Sequence, residues 1–277
     1  MNKTQEGTQI RYPSVANLMI DSADRRSVYT SPWDFQIVKN QSLFNGFFTR
    51  IGATEVVLEW QNPNIITGVN DTLVFTIVDA SPTVNVFLLQ GFITVGNLLD
   101  ACVTALNDAT TANRFEVIQQ SGQTGIVDTD GGGGNNISVA PGRLTTQMGF
   151  TSSSGTPFLT PEDPDLRPYR YLDFVSSQLT YNQNLKDATS NLRDQSVLVR
   201  WYFVFDNPTP TDQYDFPILM GYQPFYLRRL YNPPKQIAWE SNMPLGQVGF
   251  QVFGNEGDLV LNTANSNFLM TLQISEN

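Results

Sequence analysis

Histidine is absent from all 277 residues, and cysteine occurs once, at Cys102. Without imidazole there is no Ser-His-Asp or Cys-His nucleophile system, no imidazole metal site and no ordinary general base near neutral pH. A lone thiol forms no intrachain disulfide and builds no cysteine zinc cage, which suits assembly in a reducing compartment. Basic residues are scarce as well, 16 Lys and Arg against 26 Asp and Glu, for a net charge of −10. Such a surface repels nucleic acid and anionic lipid, so neither is expected as a direct partner. No apolar run reaches membrane-spanning length, and the first twenty residues lack the apolar segment of a signal peptide. The Asn-x-Ser/Thr matches at Asn2, Asn40, Asn70 and Asn136 are accordingly expected to be chance.

The charge is uneven. Residues 1–30 carry four Lys/Arg against three Asp/Glu, whereas residues 71–155 carry two against seven.

What the chain has in quantity is alternation. β-Branched and aromatic residues alternate with polar ones in short runs bounded by Gly, Pro, Asn and Asp, the pattern of half-buried strands. "WDFQIVK" places Trp33, Phe35 and Ile37 on one face; "TEVVLEW" places Val56, Leu58 and Trp60 on one face and Glu55 and Glu59 on the other. "QVGFQVF" alternates through Val248, Phe250 and Val252, and "FLMTLQI" through Phe268, Met270, Leu272 and Ile274. "VLVRWYFVF" (197–205) is apolar on both faces, which predicts a central strand. With "YLDFVSSQLT" (171–180), "YQPFYLRRL" (222–230) and "KQIAWE" (235–240), about eight strands lie outside the middle of the chain. That predicts a mainly β fold, an antiparallel single jelly-roll β-sandwich.

The middle predicts a small inserted α+β lobe over 71–155. "TLVFTIV" and "VNVFLLQ" read as a hairpin joined by "DASPT". In "TVGNLLDACVTALND", Val95, Leu98, Leu99, Cys102, Val103 and Leu106 recur at helical spacing behind Thr94 as N-cap, which makes Cys102 core filler. "FEVIQQ", "TGIVDT" and "NISVA" read as strands and "RLTTQMGF" as a short helix ending at Gly149. "TSSSGTP" (151–157) and "PEDPDLRP" (161–168) read as connectors back to the sandwich. The expected units are an N-terminal arm (1–30), a discontinuous jelly roll (31–70 plus 156–277) and the insert.

No sequence cluster has the spacing of a site. "DTDGGGGNN" (128–136) lacks the Gly-Lys-Ser/Thr of a phosphate loop and the downstream bidentate glutamate of a calcium loop, and reads as a turn. Glu55 and Glu59, four apart on a strand, stand about 13 Å apart at ~3.3 Å per residue. Catalytic carboxylate pairs sit at about 5–9.5 Å. Arg228 and Arg229 beside Tyr226 and Tyr231 suit subunit contacts better than base stacking, and "NEGDL" (255–259) reads as a strand-connecting turn. The chain is therefore expected not to be an enzyme, with no catalytic, cofactor-binding or metal-ligating residue and no cofactor. A hydrolase built on carboxylates alone remains the enzymatic alternative; it requires two close acids from different strands in one cleft. "DSADRR" (21–26) precedes the first expected strand and reads as the polar part of an ordered arm, docked on the body or on a neighbouring copy.

"MIDSADRRSVYTSPWDFQI" resembles the "IDS-x-D-R … sP-x-x-F-x-I" opening of vertex (penton) and minor capsid proteins of virophages, polinton-like viruses and giant-virus relatives. "LLQGFITVGNLLDACVTALND" is similar to their "G-x-Y-T … L … L-N" segment, with Phe92-Ile93 where Tyr-Thr is usual. "RLTTQMGF" is similar to their "L … L-G-F" ending, with Met148 for leucine. "PKQIAWESNMPLGQVGFQVFGNEGDLV … NFLMTLQISEN" resembles their closing strands. The order of these pieces along the chain carries the specificity. The resemblance implies an upright jelly roll with an outward insert, five copies plugging each fivefold vertex of an icosahedral double-stranded DNA virus. It implies a virion location and a double-jelly-roll major capsid protein as partner. A minor capsid protein, a spike, or a glycan or receptor binder acting through the insert is the alternative. Ile20, Asp21, Arg25 and Arg26 are the residues expected at a subunit or capsid-floor interface.

Overall fold

The computed structural model describes residues 15–38, 49–77, 83–110, 114–120, 123–129, 137–150, 161–180, 197–204, 210–234, 237–238, 246–261 and 264–275. Most of "DTDGGGGNN", the connector 151–157, Asn2, Asn40 and Asn136 lie outside these ranges.

In chain order the sandwich strands are β1 (Val15–Asp21), β2 (Asp34–Val38), β3 (Arg50–Trp60), then, past the insert, β9 (Tyr171–Val175), β10 (Val197–Tyr202), β11 (Phe225–Leu230), β12 (Ile237–Ala238), β13 (Gln247–Gly254) and β14 (Asn267–Ser275). Two antiparallel sheets result, one ordered β1-β14-β3-β11 with β12 added beside β3, the other β10-β9-β13-β2. If the eight principal strands are counted along the chain with β12 omitted, first pairs eighth, second pairs seventh and fourth pairs fifth. Third and eighth pair within one sheet, fourth and seventh within the other. That order is a long antiparallel hairpin rolled over itself, the jelly roll expected from the alternation.

The alternating side chains meet between the sheets. Val56, Leu58 and Trp60 of β3, Val248, Phe250 and Val252 of β13, and Phe268, Met270, Leu272 and Ile274 of β14 all lie in one buried cluster. Phe268 is its aromatic hub, stacked on Trp33 at 6.1 Å, edge-on to Phe174 at 4.8 Å and tilted against Phe35 at 5.9 Å. Such ring pairs add to the area term that dominates folding.

The structure differs from expectation at β10 and at β1. Among the described residues β10 is not central but the edge of its sheet. Its inward residues Leu198, Val199 and Trp201 are buried, whereas outward Tyr202 and, just beyond, Val204 are about half exposed, so its two-sided apolar character serves the core on one face only. Of "KQIAWE" the described residues are Ile237 and Ala238, which form β12 beside β3, and the rest of that expected strand lies outside the described residues. The eighth full strand is β1, supplied by the segment read as an arm, whose Ala16, Leu18 and Ile20 alternate toward the core in unbroken register with β14.

The chain between β3 and β9 forms a second group of elements. Its strands are β4 (Thr72–Ile77), β5 (Thr83–Phe87), β6 (Phe115–Gln120), β7 (Gln123–Asp128) and β8 (Ile137–Val139), with helices α1 (Val95–Thr110) and α2 (Arg143–Met148). One sheet runs β5-β4-β8 and a hairpin pairs β6 with β7. Thr94 caps α1 as expected, its hydroxyl accepting from the Asn97 N–H at 3.3 Å. Leu98, Leu99, Cys102 and Leu106 form the buried stripe of α1, and burial pushes the Cys102 thiol far above its usual pKa, so it is inert filler. α2 ends at Gly149 with φ 68°, a left-handed cap.

The insert has its own buried cluster, separate from that of the sandwich, and this cluster also takes Ile65, Leu166 and Tyr222. The junction is braced by two buried asparagines. Asn64 donates to the Ile93 carbonyl at 2.8 Å and accepts from its N–H at 2.9 Å; Asn70 donates to the Asn64 carbonyl at 2.8 Å and to Gln147 Oε1 at 2.9 Å. Asn70 is thus a buried structural amide.

Candidate interaction surfaces

The four residues expected at an interface occupy different environments. Ile20 is fully buried in the chain's own sandwich core, so its side chain is not available to a neighbour. Asp21 caps the short 3-10 turn Ser22–Asp24 by accepting from the Ala23 N–H at 2.8 Å. Arg25 donates to the Ser22 carbonyl at 2.8 Å and the Tyr29 carbonyl at 3.2 Å, and reaches Asn267 Oδ1 at 3.4 Å. These bonds pin the "DSADRR" corner to β14, where Ser22 Oγ accepts from the Phe268 N–H at 2.8 Å. Arg26 points to solvent. The corner is therefore a fastening on the body, and the exposed apolar groups lie to either side of it, at Met19 and Val28.

The sandwich has two different long sides. On one, β1 and β2 are the sheet edges among the described residues and carry exposed Val15, Met19 (74 % exposed) and Val38. On the other, β11 and β10 are the edges and carry exposed Tyr226 (73 %), Leu230 (66 %), Tyr202 and Val204. This second side is tied together across the sheets. Arg229 donates to the Val204 carbonyl at 2.7 Å, Tyr231 donates to the Arg200 carbonyl at 3.2 Å, and Arg200 lies over the Tyr171 ring at 4.0 Å while gripping Asp173 at 2.7 Å. Arg228 pairs with Glu55. The two arginines of β11 are engaged within the chain, which leaves Tyr226 and Leu230 as its outward contacts. Sequence reading found the Tyr226 cluster but not the strand it is tied to, because β10 is brought beside β11 only by the stacking of the sheets.

The insert exposes Phe87 and, just past the end of β5, Leu89 (93 % exposed). Asp128, the first residue of "DTDGGGGNN", is buried against Arg114, which donates to it at 2.9 Å. A cavity of about 180 Å³ lies at the junction of insert and sandwich, walled by Ile66, Val69, Tyr169, Leu259 and Leu261 with the Arg143–Glu256 ion pair beside it. A wider groove of about 1090 Å³ runs between the β6–β7 hairpin and the returning connector.

The groove is lined by several acids, Asp163, Asp165 and Asp215 among them. Burial alone would raise the Asp165 carboxyl, but hydrogen bonds and charge from Arg167, with the charge of Arg170, outweigh it and hold the group below its ordinary value. A proton-donating carboxyl needs the opposite shift. Glu55 and Glu59 lie on the outer face of β3, engaged by Arg228 and Gln61 respectively. Among the described residues no group of three Asp, Glu or Cys is placed to hold a metal ion, and no helix is long and apolar enough to cross a membrane.

No family model matches the sequence, and no curated protein matches it. Among solved structures, the crystal structure of the mavirus penton protein is similar over 96% of this chain and 99% of that one, at 12% sequence identity and a TM-score of 0.49.

Proposed function

We propose that this chain is a structural capsid protein, a penton that forms homopentamers at the fivefold vertices of an icosahedral double-stranded DNA virus of the virophage and polinton-like kind. Its partners are copies of itself and a double-jelly-roll major capsid protein, and it works by burying surface rather than by chemistry. The observation that carries the reading is the pair of unlike apolar sides on one jelly roll. The β1/β2 side and the β10/β11 side carry different residues at opposite ends of the same sheets. A contact between two different patches is head-to-tail, and head-to-tail contacts close into rings when the rotation divides the circle. A stable contact of this kind buries about 1,200 Å² or more in total. The ordered motifs from "MIDSADRR" to "NFLMTLQISEN" support the same reading, as does the outward-facing corner with Arg26 and Val28. The acidic insert suits an exposed outer lobe.

The test is the mass of the purified assembly by native mass spectrometry. Five copies of the 30.9 kDa chain are the expected result. A trimer would point instead to a spike or another minor capsid component, and a strict monomer at high concentration would remove the reading. A receptor-binding role for the insert is the second reading, favoured by the exposed pair Phe87 and Leu89. A broad glycan and host-surface screen with the full chain tests it, and the double variant Phe87→Ser/Leu89→Ser should lose any binding found.

A further inference from the structure

Two features at one end of the sandwich have complementary chemistry. The first is the cavity of about 180 Å³ beside the α+β lobe, with Ile66, Val69, Pro168, Leu259 and Leu261 as apolar walls. Tyr169 is fixed within this wall, its ring against Gly254 and its phenol oxygen accepting from the Leu261 N–H at 3.1 Å. An apolar cavity of ~150 Å³ takes up a benzene ring, so there is room here for a branched side chain and the stem of another. Leu259 and Leu261 border the space and are nonetheless exposed. Three charged groups line it as well. Arg143 donates to both oxygens of Glu256 at 3.3 Å, while the Asp258 carboxylate has no partner among the described residues. The charges of all three act on the Tyr169 phenol, which gathers them around one point with one negative charge unbalanced.

The second feature is the turn Arg26–Tyr29, closed by the Tyr29 N–H donating to the Arg26 carbonyl at 2.9 Å. It presents exposed Val28 and, two residues before it, Arg26, whose guanidinium has no partner among the described residues. The bonds of Arg25 to Ser22, Tyr29 and Asn267 hold the turn in shape before any partner arrives, which lowers the ordering cost of binding. Among the described residues, Val28 is the one exposed large apolar side chain within two positions of an unengaged arginine; Arg200, Arg228 and Arg229, beside Tyr202, Tyr226 and Leu230, are all bound within the chain. Both features sit where β13 ends and β14 begins. Leu259 and Leu261 belong to that connection, and the corner before the turn is bonded to Asn267 and Phe268.

We infer that the turn Arg26–Tyr29 of one copy docks on this cavity of the next, with Val28 entering between Val69, Leu259 and Leu261 and Arg26 pairing with Asp258. The stem of Arg26 can lie on exposed leucine while its head reaches the acid. The turn does not fill the cavity of its own chain, since Val28 stands in solvent. Rotation about an axis along the strands carries one copy to the next at constant level, so features at one end of the sandwich meet. Copies that each carry a net charge of −10 repel over most of their surface, and one cation set against one anion selects which patches touch. The contact rests on the head-to-tail reading proposed above and adds to it the residues that meet at this end.

The experiment is a charge exchange in the full-length chain, read by sedimentation equilibrium and native mass spectrometry. Arg26→Glu and Asp258→Lys should each weaken self-association about tenfold or more, with an unchanged circular dichroism spectrum. The variant carrying both restores the pair with its signs exchanged and should recover most of the loss. Val28→Ser should also weaken association, whereas Val28→Ile should not. Single charge variants that associate as wild type does, or a double variant no better than the weaker single, overturn the contact. Rings of five persisting in those variants would overturn the contact alone and leave the pentamer standing on another; a wild-type chain that stays monomeric overturns both.

Discussion

Arg229 of β11 sits with its guanidinium carbon 4.7 Å from the centre of the Trp201 ring of β10, joining the edge of one sheet to the edge of the other. The same guanidinium donates to the Val204 carbonyl at 2.7 Å. A flat cation with several donors can do both at once; a lysine ammonium does one or the other. Arg229→Ala should cost about 1–2 kcal/mol of unfolding free energy in urea titration, and Arg229→Lys should recover less than half of it. Full recovery by lysine would show that charge alone matters there.

Two glycines separate backbone strain from crowding. Gly149 has φ 68° and a Cβ added there would meet the Glu162 carbonyl oxygen at 1.9 Å, whereas Gly68 has φ 74° with nothing within 4 Å. Gly68→Ala should cost only the left-handed penalty of about 1–2 kcal/mol. Gly149→Ala should cost clearly more, because the connector carrying Glu162 must move off α2. Thermal denaturation of the two variants side by side checks the order; equal losses would sink the argument from contact.

Head-to-tail closure makes a prediction that a self-complementary contact does not. Met19→Asp spoils one side and Tyr226→Asp the other, and each variant alone should stay monomeric in size-exclusion chromatography with its fold intact. Mixed together, the two retain one good pair of sides and should form a one-to-one complex that grows no further. If the mixture behaves as the separate variants do, these two sides do not meet.

Stability against pH should fall at both ends for nameable reasons. Asp165 has a folded pKa below its ordinary 3.8, so the stability it supplies is present above that value and lost as pH falls through the lower, folded one. Tyr222 is raised above its ordinary 10.0, by burial first of all, so its contribution is complete below pH 10 and lost as pH rises toward the folded value. Asp165→Asn should flatten the acid limb, and Tyr222→Phe the alkaline limb, of stability measured by denaturant titration. The second change also leaves the buried Leu166 N–H, now bonded to the phenol oxygen at 2.8 Å, without its acceptor, at a cost of about 1–3 kcal/mol at every pH.

Much of this fold is legible in the sequence where one face of an element is buried and the other is not. β3, β13 and β14 alternate cleanly because each spans the sandwich with a wet outer face, and α1 shows its stripe for the same reason. β1 was harder to read. Its core-facing Ala16 and Leu18 are only partly covered and its outer Val15 and Met19 are apolar, so burial and polarity do not track each other along it. β10 misled in the opposite sense, since its outer tyrosine and valine sit at an edge where apolar residues face out. The two long sides were not legible at all as surfaces. Each is assembled from different strands of the chain, and only the rolled order of the sheets brings Arg229 of β11 against Trp201 of β10.

The way the second buried cluster is sealed limits how the α+β lobe can be exchanged between proteins. Residues 71–155 look like a cassette that could be lifted from one scaffold to another, but Leu166 and Tyr222 close that cluster from later in the chain. Asp212 accepts from the Gly96 N–H at 2.7 Å at the start of α1, so the strip after β10 also holds the helix in place. A transplant of the lobe alone would arrive with an open bottom and an untied helix. Natural or engineered swaps should therefore carry the stretch around 210–222 with them, and a lineage that diversifies this lobe is expected to change both pieces together.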